Sequence, residues 1–558
     1  MAFICILSLA NSLPLTGAAL KTPDMYRRSF LKNTALASLA LTAAPSQYAA
    51  TAASGRHSTL TGSIEEASIS ELQKQLKSGQ LSSAALTAAY LERIAALDKT
   101  GPKLNAIIEL NPDAMEIAAK MDKERMEGKT RGPLHGIPFL VKDNMDTADK
   151  MMTTAGSLAL MGNVASRDAH VVKLLRDAGV VLLGKSNLTE WSNFRSYRAV
   201  SGWSSRGGQT RNACVLDRNP SGSSAGSAVA VAASLCAVAV GTETNGSIIS
   251  PASHNGIVGI KPTVGLVSRS GIIPISSSQD TAGPLARTVA DAAIMLSVMA
   301  GEDKVDESTL KKNGKLRIDY TQYLDENGLK GRRIGVEKAF LKGHEGVVAL
   351  YKNAIDVMKK SGATIVEVEL EKPVSDLQYS QYTIFLYEFK AGINKYLAGA
   401  NSKMNSLEDL IAFNKTNEAT VMPYFKQEVF EEAQKKGSTD STEYKAIINR
   451  RKEVCDMIDN ILNKNNIECV CGVTAGLPGV IDIVNGDYDT GFYFGSPAAA
   501  AGFPHITVPM GKVQELPVGL SFVGSAYTES KLISLAFGYE TASKKREAPR
   551  FLTTLIPS

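Results

Sequence analysis

Apolar residues recur every three or four positions through residues 63–98, with Leu72 and Leu76 on one stripe and Leu86, Tyr90, Ile94 and Leu97 on a second. That period predicts helix, closed first at Gly79. Leu104–Leu110 is a short apolar run, and Pro112 then opens another helix. Gly136–Val141 is apolar almost throughout and predicts a buried strand that runs into Lys142, Asp143 and Asn144. Ala169–Ala178 reads as helix and Val180–Leu183 as strand. The pair repeats as helix Gly346–Ser361 and strand Thr364–Leu370. Phe503–Pro509 and Val518–Val523 predict the final strands. Residues 372–466 are helical and charge-rich, with Tyr and Phe interleaved, the pattern of a cap-like insertion. Alternating helix and strand predict an α/β fold, a mostly parallel or mixed sheet with helices on both faces.

Composition narrows the function. The 558 residues are 44% apolar and 21% charged, enough to bury a large core. Six cysteines in this length rule out a disulfide scaffold, and no C-x2-C pair points to structural zinc. The net charge of +5 shrinks on inspection. Residues 1–52 carry Lys21, Arg27, Arg28 and Lys32 against Asp24, which leaves the rest at +2. Charge therefore gives no support to nucleic-acid or membrane-surface binding.

The N-terminal excess has its own logic. Arg27-Arg28-Ser29-Phe30-Leu31-Lys32 resembles a bacterial twin-arginine export signal. The apolar stretch Thr34–Ala44 is too short to span a bilayer, and Ala50-Thr51-Ala52 offers a cleavage site. Residues 1–52 are thus expected to be a leader, with Met1 or Met25 as the start, and the mature protein to be exported to the periplasm or envelope. Cys214, Cys236, Cys455, Cys469 and Cys471 remain, read as mostly buried small hydrophobes with a disulfide left open.

Residues 203–290 are rich in Gly, Ser and Thr and poor in charge, as where backbone is held close to something. Gly222-Ser223-Ser224-Ala225-Gly226 fits G-x-S-x-G, which would make Ser224 an elbow nucleophile. The motif needs a strand before it, and Leu216–Ser221 is a poor one. It also needs a histidine, and His254, His344 and His505 sit in no triad context. Ser223 and Ser224 precede an Ala/Val-rich helix and serve equally well as caps. A second Ser-rich turn, Gly241–Ile248, follows the apolar run Cys236–Val240. Its residues Thr244, Asn245, Gly246 and Ser247 have the composition to aim consecutive N–H groups at one point, as an oxyanion hole requires.

Three separated segments then coincide. G-I-P-F-L-V-K-D-N (136–144), S-G-S-S-A-G-S (221–227) and G-T-E-T-N-G-S-I (241–248) resemble the amidase signature family. The likeness runs from about residue 65 and includes K-P-T-V-G-L-V-S (261–268), S-Q-D-T-A-G-P (278–284) and L-P-V-G-L-S-F-V-G (516–524). G-W-S-S-R-G-G-Q-T-R-N (202–212) and V-S-R-S-G-I-I-P-I-S (267–276) are most similar to the bacterial peptide amidases of that family.

The resemblance implies one amidase domain over residues 60–558, a large mixed sheet sandwiched between helices. It implies Ser247 as nucleophile, Ser223 after a cis peptide as proton relay, and Lys142 as base. Thr244, Asn245, Gly246 and Ser247 would bind the oxyanion and substrate. The expected reaction is hydrolysis of carboxamides through an acyl-enzyme, releasing ammonia from peptide C-terminal amides or other primary amides. No metal or cofactor is implied, and the expected partner is a small-molecule or peptide amide, the protein itself being a monomer or homodimer. Lys142 must be neutral to act, so its pKa has to fall from about 10.4 by burial. Two departures stand out: Ser221-Gly222 where the family often has Gly-Gly, and Ile249 where many members have Arg. Lys261 is the rival base, His135 reads as a packed loop residue, Glu243 as a network residue, and Gln279 and Asp280 as loop braces. Two other readings stay open: an amidotransferase A-type glutaminase subunit, which needs a partner, and a non-catalytic binding protein on the same fold.

Overall fold

The computed structural model describes residues 64–312, 318–376 and 378–555. The expected leader, residues 1–52, lies outside them. The first helix, Ile69–Ser78, starts on a capping box between Ser68 and Glu71 and ends on Gly79 in the left-handed conformation. It buries Ile69, Leu72 and Leu76, one stripe of the helical period. Helix Ser83–Ile94 buries Leu86, Tyr90 and Ile94.

The strands, in chain order, begin with β1 (Ile107–Leu110), β2 (Pro138–Lys142) and β3 (Val181–Ser186). A two-stranded hairpin follows, β4 (Trp203–Ser204) and β5 (Gly208–Gln209). Then come β6 (Val238–Glu243), β7 (Val258–Lys261) and β8 (Thr281–Ala286). The second half supplies β9 (Arg333–Glu337), β10 (Thr364–Val368), β11 (Cys469–Val473), β12 (His505–Val513) and β13 (Leu516–Val523). All but the hairpin join one 11-stranded sheet in the order β1-β3-β2-β6-β8-β7-β12-β13-β11-β9-β10. The sheet is mixed. β3, β2 and β6 run parallel, as do β11, β9 and β10, whereas the strands from β6 through β8, β7, β12 and β13 to β11 pair antiparallel.

Every residue of β2, β3 and β6 is buried, as expected for strands covered on both faces. The predicted strand Gly136–Val141 shifts to Pro138–Lys142 because Gly136, at φ +80°, is still in the turn. The predicted strand Phe503–Pro509 begins at His505 and extends to Val513, carried across an irregularity near Gly511 by pairing with β13.

Residues 372–466 form helices, among them Gln378–Leu397, Leu407–Thr416, Glu428–Gln434 and Arg450–Lys464. Phe385, Phe389, Leu410 and Phe430 of this segment share an apolar cluster with Trp191, Phe194, Ile273 and Ile275. The five cysteines among the described residues, Cys214, Cys236, Cys455, Cys469 and Cys471, are free thiols, and of these only Cys455 is not fully buried. No helix among the described residues is long and apolar enough to cross a membrane.

Candidate active site

β2 and β6 lie side by side and parallel, pairing Phe139 with Val238 and Val141 with Val240. Their carboxyl ends therefore open at the same edge of the sheet, where parallel sheets place their chemistry. Lys142 is the last residue of β2 and is fully buried. Its Nζ donates to Ser223 Oγ at 2.7 Å and to Thr242 Oγ1 at 2.8 Å. Thr242 Oγ1 also accepts from Asn144 Nδ2 at 3.0 Å. Burial brings the Lys142 ammonium from its ordinary 10.5 down to about 7, against the opposing pull of the Asp280 and Glu243 carboxyls. Asp143 turns to the other side, as alternation along a strand demands, and accepts from Thr154 Oγ1 and from Gly156 N at 3.1 Å.

Ser223 follows a cis peptide bond from Gly222. A Cβ on Gly222 would lie 2.2 Å from Thr189 Oγ1, so only glycine fits there. Ser221, where the sequences it resembles often have glycine, has φ +60°. The left-handed backbone that glycine adopts freely is kept, at about 1–2 kcal/mol for a residue with a Cβ. Ser224 caps no helix end with its side chain. Its hydroxyl donates to Thr242 O at 3.1 Å and accepts from Thr242 N at 3.2 Å, which locks it to the edge of β6.

The turn after β6 is held from several sides. Glu243 accepts from Ile248 N at 2.8 Å and Ile249 N at 3.1 Å and so anchors the helix Ile249–His254. This is where Ile249 enters the network: through its backbone, with the side chain in the apolar core. Asn245 donates to Gln381 Oε1 at 2.9 Å and accepts from Tyr493 Oη at 2.6 Å. Gly246 sits at φ +84°, and a Cβ on it would meet Tyr493 Oη at 2.1 Å. The N–H groups of Thr244, Asn245 and Ser247 have no protein acceptor among the described residues. No hydrogen bond joins the Ser247 and Ser223 hydroxyls among the described residues; such contacts commonly tighten only when substrate binds.

Ser247 lines a cavity of about 90 Å³, walled by Phe194, Tyr197, Ile275, Tyr382, Phe385 and Val429. The hydroxyls of Tyr197 and Tyr382 are both engaged with Glu432, so these residues offer the cavity mainly their rings. A second cavity, of about 680 Å³, adjoins it at Ser192, Thr244 and Ile275 and reaches Asn144, Thr242 and Asp280.

The other candidates stand apart. Lys261 donates to Phe503 O at 2.7 Å and Pro262 O at 3.2 Å, away from both serines. His135 contacts Met121 O at 2.9 Å. His505 is paired with Ser521 Oγ at 2.6 Å, and burial pushes its imidazole down to about 3. His254 is buried and pushed down to about 4. No group of acidic, His and Cys side chains suited to a metal ion occurs among the described residues. Sequence reasoning missed Thr242 and Asn144 as companions of Lys142. Asn144 had a signal, since positions two apart share a face, but Thr242 had none without the strand pairing.

Residues 85–533 match the family model described as Amidase. The chain belongs to the amidase family. It is 47% identical to the native peptide amidase of Stenotrophomonas maltophilia, with a TM-score of 0.84 over 88% of this chain and 99% of that one. A probable amidase of Arabidopsis thaliana is 39% identical over 88% of this chain and 93% of its own length. The A subunit of a glutamyl-tRNA(Gln) amidotransferase from Thermoanaerobacter pseudethanolicus is 33% identical over 86% of this amidase and 97% of that subunit. The mixed sheet with flanking helices is the fold shared with the solved peptide amidase.

Proposed function

We propose that this amidase is a serine hydrolase whose working set is Ser247, Ser223 and Lys142. The observation that carries the reading is the 2.7 Å hydrogen bond from a fully buried Lys142 Nζ to Ser223 Oγ. Neutral Lys142 takes the Ser223 proton as Ser223 takes that of Ser247. Ser247 Oγ attacks the amide carbonyl, and the oxyanion is met by N–H groups of the Thr244–Ser247 turn, with Asn245 and Gly246 shaping it. The proton returns through Ser223 to the departing amine. Water then enters, loses a proton along the same path, and releases the carboxylic acid.

The substrate class proposed is primary amides, including peptide C-terminal amides, with ammonia as the amine product. The aromatic walls of the Ser247 cavity and the 47% identity to a peptide amidase support this. The test is ammonia release by the purified protein, with no partner added, from a panel of peptide amides, simple aryl and alkyl amides, and glutamine. Turnover of the peptide or simple amides is the expected result. Inertness toward all of them, with glutamine cleaved only once partner subunits and tRNA are supplied, rejects it in favour of the amidotransferase reading.

We also propose that residues 1–52 are a twin-arginine leader and that the mature amidase is exported. Replacing Arg27 and Arg28 by Lys should trap the precursor inside the cell, since lysine does not reproduce the guanidinium pair. Cell fractionation of the two forms measures this, and unchanged export of the Lys-Lys form rejects the address.

A further inference from the structure

Asp280 belongs to the loop before β8, and it touches the site at two points. Its Oδ1 accepts from Thr244 Oγ1 at 2.5 Å. Its Oδ2 accepts from Ile275 N at 2.8 Å and Ser276 N at 2.9 Å. Its neighbour Gln279 donates to Thr244 O at 3.3 Å. Thr244 is thus gripped by side chain and carbonyl, while its N–H stays unspent beside Ser247. Asp280 also shares the wall of the larger cavity with Thr242 and Asn144, the residues that flank Lys142 Nζ.

We propose that Asp280 is a positioning residue that couples the two halves of the reaction: it fixes Thr244 for the oxyanion, and its carboxylate sets how readily Lys142 holds a proton. The inference rests on the assignment of Lys142 as base. The charged groups bearing on Lys142 are Asp280 and Glu243. Glu243, on β6, is itself offset by Lys261 of β7. Asp280 faces Thr244, the 275–276 backbone and, at longer range, the Arg269 guanidinium, which is tied to Asp306 at 2.7 Å. Asp280 is therefore the carboxylate near Lys142 that no lysine neutralises. Burial raises its own carboxyl to about 6, so above that pH Asp280 is a carboxylate whose charge favours the Lys142 ammonium.

The sign follows from Coulomb's law. Removing a negative charge near an ammonium destabilises it, so Lys142 loses its proton at lower pH. In Asp280→Asn the acid limb of kcat/KM should move down by at least about half a pH unit, and kcat should fall at least about tenfold as Thr244 loosens. Thr244→Val cuts the same hydrogen bond without changing charge: kcat falls, and the limb stays. Thr244→Ser should restore most of kcat. The measurement is the pH profile of ammonia release from acetyl-phenylalaninamide by the four proteins, with thermal melts to verify folding. An unmoved limb in folded Asp280→Asn overturns the charge coupling, and undiminished kcat in Thr244→Val overturns the clamp. Should Asp280→Asn not fold, Asp280→Ser takes its place; it also removes the charge, so an unmoved limb in the folded variant rejects the coupling. A wild-type enzyme with no acid limb at all instead removes Lys142 as base, a failure of the underlying mechanism rather than of Asp280.

Discussion

Ser247→Ala is expected to reduce amide turnover by at least about 10⁴-fold, the scale on which losing a nucleophile acts. The fold should survive. The Ser247 side chain lines a cavity and bonds to nothing among the described residues, so removing one oxygen leaves no buried partner unsatisfied. Its main-chain bond from Ser224 N to Ser247 O, 3.2 Å, remains. Ser224→Ala offers the contrast. That hydroxyl bridges the Thr242 carbonyl and N–H, both buried. Its loss should cost about 1–3 kcal/mol of stability while the nucleophile survives. A fluorophosphonate probe with peptide mapping separates the two serines. Label on Ser247 is expected; label on Ser224 would restore the elbow motif and sink the Ser–Ser–Lys assignment.

The second large effect is at Lys142. Lys142→Ala should lower kcat/KM by at least about 10²-fold, the lower range for losing a general base. Lys142→Arg should not rescue it, because a guanidinium stays protonated. The pH profile carries the sign. Protonated Lys142 cannot accept the Ser223 proton, so kcat/KM should fall about tenfold for each unit of pH below the lysine's pKa of about 7, and level off above it. Two buried histidines, His254 of the helix after the turn and His505 of β12, cannot mimic this limb. His254 and His505 are pushed down to about 4 and about 3 and stay neutral throughout the range. If Lys142→Ala kept near-normal rates and the same limb, another group would be the base.

The departure at Ile249 illustrates how one sequence anomaly resolves. An apolar residue near a nucleophile invites the reading of a crippled site. In the structure, however, the network at that position runs through the backbone, from Ile248 and Ile249 N–H to Glu243, and needs no side chain. Glu243 does the bracing that its position beside the turn suggested, and Lys261 is the buried cation that compensates it.

Local pattern alone was enough for much of this protein. The helical stripes at Leu72–Leu76 and Leu86–Ile94, the unbroken apolar runs of β2 and β6, and the three motifs bearing Lys142, Ser223 and Ser247 are all short stretches whose period or residue order carries the information. What only the tertiary structure decided depends on segments far apart in the chain. Parallel pairing of β2 with β6 brings Thr242 to Lys142 across 100 positions. The loop before β8 brings Asp280 to Thr244, and helix Gln378–Leu397 brings Tyr382 and Phe385 to the wall beside Ser247. The lowered pKa of Lys142 belongs to this second kind. Desolvation is set by everything packed around a group at once, and no single stretch of sequence contains that.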